Sequence, residues 1–321
     1  MNAVLAESPE QGRTARYAQI VRLSKKSEWQ IDRDVLGNRD FDFNRNFLPA
    51  GLSRVDTIPY LNTRDARLLS QIQGRTYAYI FGLVERFISA KMLDQGRAHA
   101  LDDQHALEAL VRFTNDEIKH QELFRRVEMM IADKMPLGYV QMANASEVAR
   151  AVLAASTWAV LALTCHIELF VQSHYVESIV TTADLCPLFK DVFKYHWKDE
   201  SQHVVLDELE WKDEHARLSP AQRDQAVNDL IALVGAVDGI LQVQSVADVE
   251  YFARIASREF GEQEIVDIKR VVLGAYRWQY IITGVLHPHF RKLLAEMTTA
   301  EQMQRIQAAL EPIVSASMAA A

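Results

Sequence analysis

Cysteine is nearly absent from this sequence, which has only Cys165 and Cys186 among its 321 residues. Two thiols are too few to build a disulfide framework or a metal site made of thiolates. The sequence therefore excludes a small fold held together by disulfides. It also excludes an iron–sulfur cluster that depends on a set of cysteines.

Glycine and proline are also scarce, at 12 and 8 residues, and they form no Gly/Ser-rich or Pro-rich linker. The usual marks of a domain boundary are therefore missing. Because 49% of the residues are apolar, the chain can bury a large core. We expect one domain over residues 1–321, with an N-terminal arm at 1–60, a four-helix core at 62–217 and additional C-terminal helices at 219–321.

Basic residues are outnumbered by acidic ones, which gives a formal net charge of -8 and a pI near 5.7. A surface built for nucleic acid or for anionic lipid carries the opposite balance. We therefore expect no nucleic acid and no membrane among the partners. The charge of a small-molecule substrate stays open, because an acidic protein can still contain a local basic pocket.

Long hydrophobic runs are missing as well. The longest apolar stretch, residues 151–165, has about fifteen residues and continues directly into His166 and Glu168. A membrane span needs about 20 apolar residues, so we interpret this stretch as a buried bundle helix. The first ten residues lack a basic region and include Glu7 and Glu10, so we expect no secretory signal and a cytoplasmic location.

What the sequence does have is helical periodicity, with no alternating strand pattern. Asn62, Asn144 and Ser219 stand where helix N-caps are expected. We predict an all-α protein with an irregular N-terminal arm and with helices at about 62–94, 102–131, 144–180, 184–217, 219–239, 246–259, 263–285 and 299–316. The extended segment 132–145 can cross about 45 Å, which suits the single long crossover of a ferritin-like four-helix bundle.

Two segments, residues 116–120 and 199–203, both have the sequence Asp-Glu-x-x-His. In a helix with about 3.6 residues per turn, Glu and His three positions apart project from one face. Glu117 with His120, and Glu200 with His203, therefore each offer one carboxylate and one imidazole to the same point. Two such segments facing each other supply half of a two-metal cage, and residues 62–217 become a candidate metal-binding core.

The other half of such a cage needs one acidic residue from each of two further helices, and Glu85 and Glu168 are the candidates. Glu85 is the one ionisable group on an apolar-to-small helix face, where a charge is seldom buried without a partner. The alternative is an edge position at which Glu85 forms a salt bridge with Arg86 or Arg75. Glu168 and Glu200 lie at similar distances from the ends of consecutive helices, so an antiparallel pair places them at one level.

His196 precedes Glu200 by four residues and His203 by seven, so it lies close to both on the helix surface. A third histidine ligand on one metal is geometrically compatible with this spacing. The alternative is a core histidine bonded to a neighbouring helix.

The aspartates that precede the two paired glutamates extend the prediction outward from the metals. A metal-bound histidine normally donates its second ring N–H to a carboxylate or a carbonyl. We predict that Asp199 holds His120 and that Asp116 holds His203 across the bundle. The alternative is that both aspartates are solvated surface acids beside Lys119 and Lys198.

The residue types also indicate the metal. Four carboxylates neutralise two divalent ions, and oxygen with imidazole donors suits iron or manganese better than copper or structural zinc. We expect two iron ions, with an iron–manganese pair as the open alternative. A substrate pocket beside the metals is predicted to contain Phe81, Gly82, Phe113, Thr164 and Trp197.

The complete set is Glu85, Glu117 with His120, Glu168, and His196-x-x-x-Glu200-x-x-His203. This set resembles the ligand pattern of the p-aminobenzoate N-oxygenase family of di-iron proteins, over about residues 65–215. The resemblance implies a ferritin-like bundle, a di-iron centre that activates O2, and His196 as a seventh ligand. It also implies oxygenation of a small organic substrate, with arylamine nitrogen as the family's named case.

Such chemistry needs electrons, and the sequence has no Gly-rich nucleotide fingerprint and no cysteine set for an iron–sulfur cluster. We therefore expect an external electron donor. The oligomeric state stays open, a homodimer included.

Three other functions use the same sequence features. A ferroxidase or iron-storage protein has the same cage, although storage ferritins are much shorter chains. A radical-generating subunit resembling that of ribonucleotide reductase would have tyrosine where this chain has Phe124. A non-enzymatic all-α interaction protein would pair its buried acids with lysine and arginine.

Overall fold

The computed structural model describes residues 9–318, so residues 1–8 of the predicted arm and residues 319–321 of the C-terminal segment lie outside the described part. Within residues 9–318 every element is helical, apart from one isolated bridge between Asn46 and Leu185. The all-α prediction is therefore confirmed. The α-helices are α1 Pro9–Ser27, α2 Ala50–Ser53, α3 Thr63–Ala98, α4 Gln104–Lys134, α5 Ala145–Leu153, α6 Thr157–Ser173, α7 Pro187–Arg217, α8 Pro220–Ile255, α9 Glu262–Arg277, α10 Thr283–Leu286, α11 Pro288–Met297 and α12 Ala300–Met318.

Four long helices form the bundle that the sequence predicts: α3 packs along α4, α6 packs along α7, and α4 contacts α7. The start of α3 is fixed by Asn62, whose side chain accepts a hydrogen bond from the backbone N–H of Asp65. Helix α7 begins with Pro187, where the missing N–H of proline does no harm. At the centre of the bundle the rings of Phe81, Phe124 and Phe193 pack against one another.

The N-terminal region is not irregular throughout, and that part of the prediction is wrong. Helix α1 is 19 residues long and packs against α4 and α7. Its buried face consists of Tyr17, Ile20 and Val21, at helical offsets of three and four. The helix was missed because its remaining positions are mostly polar, so the apolar stripe is short. It is followed by a π-helical turn at Ile31–Val35, by further turns, by α2 and by a 3₁₀ turn at Val55–Thr57.

The predicted third helix, 144–180, is divided. Asn144 does cap α5, but the chain leaves the helix after Leu153 and restarts at Thr157. The break is held by tertiary structure, because the backbone N–H of Ser156 donates to Asp229 across 3.0 Å. Helix α6 then continues as a π-helical segment, His174–Ile179.

The C-terminal part differs in detail from the prediction. The expected helices 219–239 and 246–259 are one continuous helix, α8, which begins with a capping box at Ser219 and Gln222. Helix α11 was not predicted. Helix α8 packs against α6 and α9, and α12 packs against α8 and α9.

Among the described helices, α8 alone is long and apolar enough to cross a membrane, judged by length and composition. Only 28% of its most apolar window is buried within the protein. Its Asp238 forms a bidentate ion pair with Arg277 of α9, at 2.7 and 2.9 Å.

Candidate metal centre

The structure brings all seven predicted ligands together in the interior of the bundle. They form two groups, Glu85–His120–His196–Glu200 and Glu117–Glu168–Glu200–His203. Within each group the candidate ligand atoms lie within 4.8 Å of one another. All seven side chains are buried.

Glu200 belongs to both groups and faces them with different oxygens. Its Oε1 lies 2.7 Å from Nε2 of His196 and 3.1 Å from Nδ1 of His120. Its Oε2 lies 2.7 Å from Nδ1 of His203. A carboxylate in this position can bridge two metal ions, one oxygen to each.

The remaining distances complete the two groups. Glu85 approaches Nε2 of His196 at 3.0 Å, and Glu117 approaches Nδ1 of His203 at 3.0 Å. Glu168 lies farther from His203, at 4.0 Å. Each group therefore combines carboxylate oxygens with at least one imidazole nitrogen, as oxygen-preferring transition metals require.

The salt-bridge alternative for Glu85 is wrong. Arg75 instead pairs with Glu128 at 2.6 Å, and Arg86 lies exposed. Within residues 9–318, no lysine or arginine is paired with any of the four cluster glutamates, so basic side chains do not balance their charge.

Of the two predicted aspartate contacts, the one between Asp199 and His120 is a hydrogen bond, and the one between Asp116 and His203 is a longer ion-pair contact. Nε2 of His120 lies 3.1 Å from Oδ2 of Asp199, and Nε2 of His203 lies 3.7 Å from Oδ2 of Asp116. Both imidazoles therefore turn Nδ1 towards the cluster and Nε2 towards an aspartate, which is the orientation expected of metal-bound histidine. Lys119 bridges the two aspartates, at 2.9 Å from Asp116 and 2.8 Å from Asp199.

His196 is oriented differently. Its Nε2 faces the cluster, while its Nδ1 is buried without a hydrogen-bond partner. Aromatic rings surround it instead of a carboxylate: Phe81 at 5.2 Å and Phe124 at 4.9 Å between ring centroids, both edge-on. This side of the centre is therefore apolar.

Trp29 is a residue near the centre that sequence reasoning missed. Its indole N–H donates to Oδ2 of Asp199 across 2.8 Å, and its ring lies nearly parallel to that of His120. The segment after α1 thus contributes to the surroundings of a candidate ligand. No motif marks this tryptophan, because its contact depends on how the arm packs.

Asp207 is a second residue that was not predicted as part of the site. It lies one turn beyond His203 on α7, is fully buried, and neither of its carboxylate oxygens has a hydrogen-bond partner among the described residues. Burial raises its pKa well above the usual value, although the nearby His203 opposes the shift. Burial therefore disfavours the charged form of this carboxyl group.

The ionisable groups of the cluster shift one another's pKa values. Burial lowers the pKa of His120, but Glu200 and Asp199 outweigh it and raise that pKa to about 9. Burial also lowers the pKa of His203, but Glu200 outweighs burial and raises that pKa to about 10. For Glu168, burial and the charge of Glu200 both raise the pKa well above its usual value. In the protein alone, imidazolium protons therefore balance the carboxylates, and bound cations would displace them.

Several buried atoms of the cluster have no hydrogen-bond partner. They include both carboxylate oxygens of Glu117, one oxygen each of Glu85, Glu168 and Glu200, and Nδ1 of His120. A buried polar atom without a partner destabilises the fold by roughly 1–3 kcal/mol. Metal coordination would satisfy these atoms, so the residues present fit a pair of divalent ions.

The five predicted pocket residues do not share one cavity. Phe81 lies edge-on to His196, and Phe113 stacks on His203 with ring centroids 3.7 Å apart. Thr164 is buried with its hydroxyl unpartnered. Trp197 was placed wrongly: it stacks on Tyr175 and lines a groove of about 640 Å³ beside Trp29 and Tyr195.

Gly82 lines a different groove, of about 610 Å³, between α3 and α4. A Cβ at this position would come within 3.2 Å of Cβ of Phe124, so Gly82 leaves little room for a side chain. Its role is to let α4 approach α3 closely. Phe124 then separates the groove from His196.

No protein-family model matches the chain, and a search of curated proteins likewise gave no match. The evidence for function is therefore the geometry of the cluster. Within this all-helical protein, the cluster has the geometry of a buried site for two metal ions.

Proposed function

We propose that this protein is a non-haem di-iron oxygenase, which activates O2 and inserts oxygen into a small organic substrate. The observation that carries the proposal is the position of Glu200, whose two oxygens face two different groups of ligands. A single metal ion would not need a carboxylate shared in this way.

Charge supports two divalent ions. Four ionised carboxylates match the charge of two divalent cations, and the imidazoles add donor atoms without adding negative charge. Iron or manganese is favoured by this mixture of oxygen and nitrogen donors. Bound iron would supply the redox chemistry towards O2 that no side chain of this protein can perform.

The protein's own residues would orient the ligands. Asp199 accepts a hydrogen bond from Nε2 of His120, and Asp116 lies 3.7 Å from Nε2 of His203, so both Nδ1 atoms are directed at the cluster and would bind the metals once their protons are released. Lys119 holds the two aspartates in place. Removing such outer contacts typically weakens metal binding by about 10–100-fold.

The apolar surroundings of the centre favour an oxygenase over an iron-handling protein. Phe81 and Phe124 cover His196, and Phe113 covers His203, so bulk water is kept away. Exclusion of water protects reactive species from side reactions. An iron-storage protein must instead pass iron onward, through a path that these rings would obstruct.

Resemblance supports the type of reaction. The ligand spacing, with the additional His196, is similar to that of the p-aminobenzoate N-oxygenase family. We propose arylamine nitrogen as the reacting group, with electrons from an external donor, and a cytoplasmic protein with neither nucleic acid nor a membrane as partner. The groove beside Gly82, of about 610 Å³, is the proposed entrance for a small ligand, and Phe124 is the side chain that closes it towards His196.

The test is a turnover experiment with the full chain. Protein loaded with ferrous iron is supplied with a chemical reductant, isotopically labelled O2 and p-aminobenzoate as the probe. We expect labelled oxygen in a hydroxylamine or nitro product detected by mass spectrometry. The Glu200→Gln variant, which loses the shared carboxylate, should give no product.

Two outcomes would contradict the proposal. Accumulation of ferric mineral beyond two irons per chain, without product from p-aminobenzoate or other small amines, would indicate a ferroxidase. Absence of bound metal would indicate an interaction protein, although no lysine or arginine among the described residues pairs with the cluster glutamates as that function predicts.

A further inference from the structure

Tyr77 and His174 form a buried pair next to the aromatic rings that cover His196. The hydroxyl oxygen of Tyr77, on α3, lies 2.7 Å from Nδ1 of His174, which directly follows α6. Both side chains are buried, and neither belongs to the two ligand groups. His174 begins the π-helical segment His174–Ile179, and such segments are rare and frequently occur at functional sites.

The surroundings of the pair determine which atom donates the hydrogen bond. Within residues 9–318 the Tyr77 hydroxyl has no other partner, and Nε2 of His174 is buried without one. If Nδ1 donated, both the phenol O–H and Nε2 would be left unpaired. If the O–H donates to Nδ1, only the N–H at Nε2 is left. The second arrangement leaves fewer buried polar groups unsatisfied, so Tyr77 is the donor.

Both members of the pair are uncharged near neutral pH. Burial raises the pKa of Tyr77 well above its usual value. Burial, and to a smaller extent the neighbouring His166, lowers the pKa of His174 to about 3. The pair is therefore a phenol whose proton points at an unprotonated base.

Aromatic rings connect Tyr77 to the candidate ligand His196. The ring centroid of Tyr77 lies 4.7 Å from that of Phe81 and 4.9 Å from that of Phe193. The centroids of these two rings lie 5.2 and 6.2 Å from that of His196. A single ring thus separates the phenol from a metal ligand along either route, and an electron can cross such contacts without movement of the chain.

We propose that Tyr77 is a redox-active residue that supplies one electron to the metal centre after the centre is oxidised by O2. The inference rests on the proposed function, because O2 chemistry at the centre provides the oxidant. Tyr77 loses one electron, which reduces the centre, and its O–H bond breaks as the proton moves to Nδ1 of His174. The products on the protein are a neutral tyrosyl radical and an imidazolium. The step suits turnovers in which O2 reacts before an organic substrate is bound.

His174 allows this oxidation to occur in a dry interior. Loss of an electron turns a phenol into a far stronger acid than imidazolium, so the proton moves to His174 although burial disfavours the charged imidazole. When Tyr77 is reduced again, the phenolate is the stronger base and the proton returns through the same hydrogen bond. The pair needs neither water nor a change of conformation.

Tyr280 provides the matched comparison. It is buried, and its ring centroid lies 6.0 Å from that of Tyr77. Its hydroxyl, however, has no hydrogen-bond partner among the described residues. Tyr280 therefore has no base to receive its proton, and removal of its hydroxyl should leave the redox behaviour unchanged.

The test mixes the full chain, loaded with ferrous iron, with O2 in the absence of substrate and reductant. Samples frozen over milliseconds to seconds are measured by EPR, and ferric absorbance is followed in parallel. We expect a tyrosyl radical signal, which narrows when the protein contains ring-deuterated tyrosine. Tyr77→Phe should lose this signal, whereas Tyr280→Phe should keep it. Both variants should bind as much iron as the unmodified protein, because neither residue is a ligand.

Two further measurements separate a redox role from a structural one. His174→Leu removes the proton acceptor and should also lose the radical. In the unmodified protein the radical should form more slowly in D2O, because the proton moves with the electron. The two tyrosine variants decide the question even if His174→Leu does not fold.

The outcomes distinguish this proposal from the proposed function. Ferric absorbance without a radical, or a radical that survives in Tyr77→Phe, would overturn the role of Tyr77 and leave the oxygenase proposal intact. A radical lost only in Tyr77→Phe, with no oxygenated product from small amines, would support Tyr77 and count against the oxygenase. Failure of O2 to oxidise the bound iron would overturn both.

Discussion

The indole N–H of Trp29 donates to Oδ2 of Asp199, the same oxygen that lies 3.1 Å from Nε2 of the candidate ligand His120. Trp29 and Asp199 are 170 positions apart in the sequence. The contact connects the N-terminal arm to the centre of the bundle. It predicts that a change in the arm alters metal binding.

Trp29→Phe keeps an aromatic ring over His120 but removes the N–H donor to Asp199. We expect the metal dissociation constant to rise about threefold to tenfold, which corresponds to one lost net hydrogen bond. Competition with a chelator measures the change.

The matched control is Trp197→Phe. The indole nitrogen of Trp197 has no hydrogen-bond partner among the described residues, so its loss should leave metal affinity unchanged. Equal effects of the two variants would show that Trp29 acts through packing rather than through Asp199.

Glu200→Gln and His196→Gln should reduce metal content by different amounts. Glu200 serves both groups, so its loss should deplete both ions, whereas His196 belongs to one group only. We expect bound iron to fall well below one per chain in the first variant and to about one in the second. Elemental analysis of the reconstituted proteins measures both.

Glu208→Gln is the control for these variants. Glu208 lies on the same helix but pairs with Lys212 at 2.7 Å and belongs to neither ligand group. It should retain the metal content of the unmodified protein. Equal losses in Glu200→Gln and His196→Gln would argue against a shared carboxylate.

Metal binding at pH 7 should release protons. The pKa values of His120 and His203 are raised to about 9 and about 10, because neighbouring carboxylates outweigh burial. Both imidazoles are therefore protonated near neutral pH in the protein alone and must lose a proton on coordination. The apparent metal affinity should accordingly rise with pH from neutral towards 9.

Calorimetric titration in buffers with different ionisation enthalpies counts the released protons. A binding heat that does not vary with the buffer, together with an affinity that is flat over this pH range, would mean that His120 and His203 are either not protonated in the metal-free protein or not ligands.

Asp248 makes a separate prediction about stability. It is fully buried among Thr76, Tyr276 and Gln244, and burial raises its pKa from 3.8 to about 6, although these three donors oppose the shift. A carboxyl whose pKa is higher in the folded state stabilises the fold below the unfolded pKa. That contribution is lost as the pH rises through about 6.

Asp248→Asn should therefore be close to the unmodified protein in unfolding free energy at pH 4. It should be more stable than that protein by up to about 3 kcal/mol at pH 7. Denaturant unfolding at several pH values measures the difference. A difference that does not change with pH would show that Asp248 keeps its ordinary pKa in the folded state.

The ligand set could be found from the sequence because helix geometry fixes it. Glu117 with His120, and Glu200 with His203, must share a face at a spacing of three residues. Glu85 stood out as a charge on an apolar face, and Glu168 as an acid at the same level as Glu200 in an antiparallel pair. Such reasoning needs only the phase of each helix, which a long periodic pattern gives reliably.

The surroundings of the centre could not be found in this way. Trp29 reaches Asp199 through the packing of the arm, which no local pattern encodes. Trp197 follows His196 directly, so it is turned by about 100° and faces another side of the bundle. The break between α5 and α6 depends on Asp229 of a distant helix. Each of these features depends on tertiary contacts.

The central claim is that two metal ions share Glu200. Mössbauer spectroscopy of the full chain reconstituted with isotopically enriched iron, combined with elemental analysis, tests it most directly. We predict two irons per chain, coupled magnetically through bridging ligands in the oxidised state. One iron per chain, or irons without magnetic coupling, would contradict the claim.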